Sequence, residues 1–136
     1  MPAAPHRVFS VLSDLDHARE WMPQIQRIDA VSKGPFGVGS SWRETRAAGK
    51  RMFESTIRVT AYEPGKSLGL AVEGKGMTGQ MRFTLGAAGS GTEVHYEAAM
   101  QGRGLMSLMT GTINRMMAKV DADLLDRLAA QVERRS

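Results

Sequence analysis

Two rhythms of apolar and polar residues alternate along this chain. Between Ala4 and Leu12, the residues Val8, Phe9 and Leu12 fall on one helical face, and Pro5 suits a first turn, where its missing N–H costs no hydrogen bond. A second short helix is expected over "HAREWM", capped by Asp14 or Asp16 and stopped by Pro23, because the residue ahead of a proline is pushed out of helical geometry. From Gln24 onward the period drops to two. Turn-forming clusters at "GPFGVGS", "AAGK", "EPGKS", "GKG" and "GAAGSG" then divide the chain into six predicted strands, 24–33, 41–48, 51–62, 68–75, 76–86 and 92–101. Their short connections favour antiparallel hairpins. Beyond Gly104 the helical period returns in Leu105, Leu108, Met109, Ile113, Met116, Val120, Leu124, Leu128 and Val132. This predicts one amphipathic helix of roughly 30 residues, about 45 Å long.

A symmetric hairpin fixes which residues lie opposite each other, so the faces of the strands can be followed from turn to turn. Pairing Ala48 with Arg51 puts Trp42, Glu44 and Arg46 on one face with Ile57, Ser55 and Phe53. The same face continues through Val59 and Ala61, then Leu68, Leu70 and Val72, then Met77, Met81, Phe83 and Leu85, then Val94, Tyr96, Ala98 and Met100. The opposite face collects Arg43, Thr45, Glu54, Arg58, Glu73, Gln80, Arg82, Glu93, His95 and Glu97, which suits water. The expected fold class is therefore α+β, with the closing helix lying across one apolar sheet face.

Length and composition narrow the chemistry. A chain of 136 residues fits one domain, here residues 1–136. The absence of cysteine excludes a disulfide framework, thiolate metal sites and a cysteine nucleophile, and it fits a reducing compartment. No apolar stretch approaches the roughly 18 residues of a membrane span, and no signal-like segment opens the chain. The expectation is a soluble, cytoplasmic protein. The net charge of +4 is spread among acids, the pattern of a solvated surface rather than of a nucleic-acid site. "GKGMTG" matches G-x-G-x-x-G in letters, but predicted strands lie on both sides and no helix follows to receive a phosphate. Glycine there is better explained by a tight turn and by removal of a side chain from the inner face at Gly79. His6, His17 and His95 form no metal-ligand pair, no serine stands beside an activating base, and no metal or cofactor is expected.

The order of elements, with "APHRVFSVLSDLDHAREWMPQI", "GPFGVGSSWRET", "RVTAYEPGKSL" and "GSGTEVHYEA" ahead of the long helix, resembles the START-like (SRPBCC) superfamily, in particular its polyketide cyclase/dehydrase and lipid-transport branch. The resemblance covers nearly the whole chain. It implies a helix-grip fold, in which a curved antiparallel sheet wraps around a long carboxy-terminal helix and leaves a cavity for an apolar ligand. It also implies that Trp21 sits near the cavity mouth, the alternative being that it only plugs the core, and that Pro23 turns the chain into the sheet. Such proteins usually carry another strand before the first helix, whereas only "MPAA" precedes Pro5. The strand 92–101 would then have an open edge, available to a second copy in a homodimer, to another partner, or to a loop.

Within that frame the expected ligand-binding residues are Trp42, Phe53, Ser55, Ile57, Met81, Phe83, Tyr96, Met109 and Ile113. Met77, Met81, Met100, Met106, Met109, Met116 and Met117 cluster where sheet and helix should meet, and flexible methionines suit either an irregular core or an adaptable pocket. Gly111, inside the helix, marks a bend or a close approach over the cavity. Glu44, Arg46 and Tyr96 are the candidate proton-exchanging or headgroup-anchoring groups, although the nearness of Glu44 and Arg46 to a hairpin tip favours charges that reach water. The leading expectation is binding of a lipid, isoprenoid or polyketide-like molecule. The alternatives are a cyclase or dehydratase using those residues, and a protein-interaction module in which the cavity is incidental.

Overall fold

The computed structural model describes residues 1–48, 50–102, 104–120 and 123–135. Helix α1 (Pro5–Leu12) starts at the expected proline, and a 3₁₀ turn (Leu15–His17) leads into α2 (Ala18–Trp21), which ends two residues before Pro23. Six strands follow: β1 (Ile25–Asp29), β2 (Ser41–Ala48), β3 (Arg51–Glu63), β4 (Ser67–Gly74), β5 (Met77–Ala88) and β6 (Gly91–Gly102). They form one antiparallel sheet in chain order, β1 to β6. "GKGMTG" is the β4–β5 hairpin, and Gly76 supplies a positive φ of 72° at its turn.

The β2–β3 register is the expected one, with Ala48 opposite Arg51, Trp42 opposite Ile57 and Glu44 opposite Ser55. Two bulges interrupt the strict alternation elsewhere. One lies between Ile25 and Arg27, and it lets Ile25 and Ile28 both turn toward the core. The other lies between Val59 and Ala61, so that Ala61 pairs with Gly69 and Tyr62 pairs with Leu68. An extra residue reverses the side-chain phase, and this corrects the expectation for Ala61: Tyr62 turns inward instead and meets Phe9 and Phe36 at ring separations of 5.5 and 5.7 Å.

The closing helical segment is divided. A 3₁₀ stretch (Gly104–Met109) precedes α3 (Thr110–Val120), and α4 (Leu124–Arg134) is a separate helix in place of one uninterrupted rod. The division matters for coverage. Leu124, Leu128 and Val132 of α4 join Val8, Phe9 and Leu12 of α1 in the core formed on the inner sheet face. Helix α3 instead lies beside β6. Its Asn114 amide accepts from the Met100 N–H at 2.8 Å and donates to the Met100 carbonyl at 2.8 Å, as a neighbouring strand would. Thr110 accepts from the Gly102 N–H at 3.1 Å. At the other end of β6, Met1 exchanges two backbone hydrogen bonds with Thr92, whose hydroxyl also donates to the Ala3 carbonyl. The edge expected to be open is thus occupied at both ends. Gly111 has open space around its Cβ position, so no close approach requires it. The side chains of Leu105, Met106, Ile113, Met116, Met117 and Val120 lie outside the described residues. Among the described residues no helix is long and apolar enough to cross a membrane.

Gly79 has the packing role expected of it. A Cβ there would lie 2.0 Å from the Met100 Sδ and 2.8 Å from the Ala99 carbonyl oxygen, so the Met100 side chain occupies the space that Gly79 leaves. Gly79→Ala should cost about 1–3 kcal/mol, as overpacking does. The double variant Gly79→Ala/Met100→Ala should show a coupling, because the alanine then relieves part of the clash. Urea unfolding of the four proteins measures this, and purely additive losses would contradict the contact.

Candidate functional site

An apolar cavity lies between the inner face of the sheet and the amino-terminal helices. Leu12, Leu15, Ala18, Trp21 and Met22 form one wall, Trp42, Glu44 and Arg46 of β2 another. Leu68 and Leu70 of β4, Met81 and Phe83 of β5 and Tyr96 of β6 form the floor, with Leu124 at the start of α4 and Phe36 from the β1–β2 loop completing it. The space open to the centre of a water-sized sphere is about 40 Å³. That is room for roughly three waters. A larger, more polar cleft of about 230 Å³ opens outside, between the segment Ser13–Asp16 and the β1–β2 loop. Leu15, Phe36 and Trp42 line both spaces and so form the partition between them.

Among the described residues Glu44 is the one carboxylate in the cavity wall, and its side chain is only 6% exposed. Contrary to the expectation of a rim charge in water, the strand carries it under the helices. A buried carboxylate needs partners, and both of its oxygens have one. Oε1 accepts from the Trp42 indole at 3.3 Å and Oε2 accepts from Arg46 Nε at 2.8 Å. The two-residue spacing of Trp42, Glu44 and Arg46 on one strand puts all three on the same face. A terminal nitrogen of Arg46 also approaches the Met22 sulfur at 3.9 Å. The guanidinium is 19% exposed, so the pair is shielded but not sealed.

The other expected site residues divide. Trp42, Met81, Phe83 and Tyr96 line the cavity, and Phe83 and Tyr96 stack at 4.8 Å between ring centres. Ile57 is buried in the core, and Phe53 and Ser55 are half-buried nearer the β2–β3 tip; none of the three belongs to the lining. Met109 is 44% exposed in the 3₁₀ stretch, because the helical segment that was expected to carry it over the sheet begins only after it. The side chain of Ile113 lies outside the described residues. Several lining residues were not singled out as ligand contacts from the sequence, Phe36 and Leu15 among them. Phe36 stands in a glycine-rich turn cluster that reads as loop, and Leu15 follows a short helix in a stretch with no period of its own. Among the described residues no cluster of three His, Asp or Glu side chains is placed to hold a metal ion.

The outer cleft has its own charged hinge. Asp14 accepts from His17 Nδ1 at 2.7 Å and pairs with Arg135 at 3.0 Å, tying the end of α4 to the segment after α1. Burial works to raise the Asp14 pKa, but the hydrogen bond and charge of His17 and the charge of Arg135 outweigh it. The carboxyl therefore titrates below its ordinary value of 3.8.

With this geometry in view, comparison with known proteins is decisive for kinship. The family described as polyketide cyclase / dehydrase and lipid transport matches residues 1–133. The chain belongs to that family. Among solved structures, TTHA0849 from Thermus thermophilus superposes with a TM-score of 0.82 at 17% identity, covering 100% of this chain and 94% of that one. The Zhui aromatase/cyclase of a Streptomyces species gives 0.78 at 12% identity, with 98% and 88% covered. Ara h 8.0201 gives 0.72 at 16% identity, with 96% and 91% covered. At these identities the likeness is one of fold, and it is the helix-grip fold. No curated protein matches the chain. Like its relatives by fold, this member of the polyketide cyclase/dehydrase family sets helices against the inner face of a curved sheet, and its cavity lies where they meet.

Two outcomes follow from the charged groups. Arg46→Met leaves the Glu44 carboxylate under the helices with only the Trp42 indole, and it should cost about 3 kcal/mol in urea unfolding. Glu44→Leu/Arg46→Met should recover most of that loss, and equal losses in single and double variants would contradict the pairing. Asp14 has a lowered pKa in the folded state, so its contribution is fully present above about pH 4 and is lost as pH falls through the lowered value. The stability difference between wild type and Asp14→Asn should therefore shrink as pH falls below about 4 in thermal melts. A difference independent of pH would count against the Asp14–His17–Arg135 contact.

Proposed function

We propose that this protein binds an apolar or aromatic small molecule, of the lipid, isoprenoid or polyketide-like kind, in the cavity between sheet and helices. The observation that carries the reading is an apolar chamber holding one shielded ion pair, where a fully packed core would have only aliphatic contacts. Family membership supports it, as does the name of the Zhui aromatase/cyclase among the structural relatives. Three waters' worth of space does not hold a naphthalene ring, so binding requires the partition of Leu15 and Phe36 to move. Phe36 is suited to that. It sits on the β1–β2 loop, is half-buried, and is held by ring contacts to Trp42 at 6.0 Å and Tyr62 at 5.7 Å rather than by belonging to a strand. Movement of Phe36 toward solvent joins the inner cavity to the outer cleft. Affinity then comes from burial, at about 25 cal/mol per Å² of apolar area before ordering costs.

A second reading, an acid–base enzyme, draws on the position of Glu44 and Tyr96 in one chamber. Catalysis of that kind would consist of holding a flexible chain in a reactive fold while these groups exchange protons. Glu44→Gln that binds a ligand normally yet fails to transform it would favour the enzyme.

Both tryptophans of the chain line the cavity, so intrinsic fluorescence reports on it directly. Titration with a naphthalene compound should quench this emission saturably. Phe36→Ala should raise the association rate several-fold. An emission unchanged by ligand across a panel of lipids and aromatic compounds would overturn the binding proposal.

A further inference from the structure

Hydrogen bonding in this cavity is unbalanced in one direction. Trp21 is 2% exposed and lines the chamber, and its indole Nε1–H is buried without any hydrogen-bond partner. A buried donor left unpaired is costly, and native structures seldom keep one without a use. Among the described residues two further buried donors lack partners, Gln24 Nε2 and Arg127 Nη2, but neither residue belongs to the cavity lining. The backbone at Trp21 is fixed from behind, since its carbonyl accepts from Arg127 Nε at 3.1 Å and α2 packs on α4. Trp42 offers a contrast: its indole is already spent on Glu44. Arg46 adds partly exposed donors at the edge of the chamber, because its terminal N–H groups have only the weakly accepting Met22 sulfur among the described residues.

Charge, by contrast, is balanced. Glu44 carries the negative charge of the chamber and Arg46 the positive one, 2.8 Å apart. A ligand carboxylate would add an unpaired negative charge beside Glu44 in an apolar space, where desolvation and like-charge repulsion both oppose it. A neutral acceptor meets the surplus of donors without that cost. Resting on the binding reading above, we infer that the Trp21 indole N–H is the specificity-determining donor of the cavity, and that the ligand it selects is an apolar molecule bearing a neutral carbonyl. Ketones, esters and quinones fall in that class; plain hydrocarbons and free carboxylates fall outside it.

Three probes of nearly one shape separate the possibilities: 2-acetonaphthone, 2-ethylnaphthalene and 2-naphthoate. The ketone should bind about tenfold more tightly than the ethyl compound, the ratio of roughly one buried hydrogen bond, and more tightly than the carboxylate. In a ¹H–¹⁵N spectrum the chain shows two indole signals. The Trp21 signal, assigned by its loss in Trp21→Phe and independently by its persistence in Trp42→Phe, should move downfield with the ketone and not with the ethyl compound. Trp21→Phe should also bring ketone and ethyl affinities together; should that variant not fold, the indole shift in the wild type remains the deciding readout. Equal affinity of ketone and ethyl compound with a stationary Trp21 signal would leave apolar binding standing and overturn this inference. Tighter binding of the carboxylate would overturn the preference for a neutral head. If none of the three binds, the binding reading itself fails and takes this inference with it.

Discussion

A sheet that is apolar on one face must be covered, and the covering of this face sets most of what the chain does. Ile57, Val59, Leu68, Leu70, Val72, Phe83 and Leu85 present one continuous hydrophobic surface, and water contact there would cost about 25 cal/mol per Å². Helices α1 and α4 answer that demand with Val8, Phe9, Leu12, Leu124, Leu128 and Val132, all in the same core. Helix α3 does a different job, since its Asn114 supplies the hydrogen bonds that the outer edge of β6 lacks. The cover over the face is left to short helices and a loop, and the chamber lies where their side chains meet the sheet incompletely.

Much of this was legible from residue order. Turn residues at short intervals fixed hairpin symmetry, and hairpin symmetry placed Trp42, Glu44 and Arg46 on the core face with the pairing observed. What could not be read was wherever a single residue breaks period. The bulge between Val59 and Ala61 turns Tyr62 inward, and nothing in "RVTAYEPG" distinguishes that phase from the uninterrupted one. The closing segment shows a helical repeat throughout, yet a repeat of apolar positions reports a face, not continuity, and the chain divides it between α3 and α4. Met109 lies exposed for a separate reason, since the segment opens with the 3₁₀ stretch Gly104–Met109 and α3 starts only at Thr110.

The site shows the same limit more sharply. Alternation placed Glu44 on the inner face, but whether it reached water depended on how far the helices extend over β2, a long-range fact. Its burial is tolerable because Trp42 and Arg46 lie two residues away on either side, so one strand carries the ion pair and its indole donor together. Trp21, just ahead of Met22–Pro23, ends α2 with its ring over the chamber. The proline that stops the helix therefore also helps to fix where the cavity wall is. Phe36 came from a loop, where periodicity carries no information about which side chain folds back.

The central claim is that small molecules enter the chamber between sheet and helices, and methionine methyl groups test it most directly. Met22 and Met81 line the cavity, whereas Met52 and Met109 are exposed elsewhere. In a methyl-resolved ¹H–¹³C spectrum of protein labelled at methionine, addition of a naphthalene ligand should shift the Met22 and Met81 signals strongly through its ring current, with intermolecular contacts to both methyls, and leave Met52 and Met109 in place. Shifts confined to Met52 or Met109, with Met22 and Met81 stationary at saturating ligand, would contradict the account.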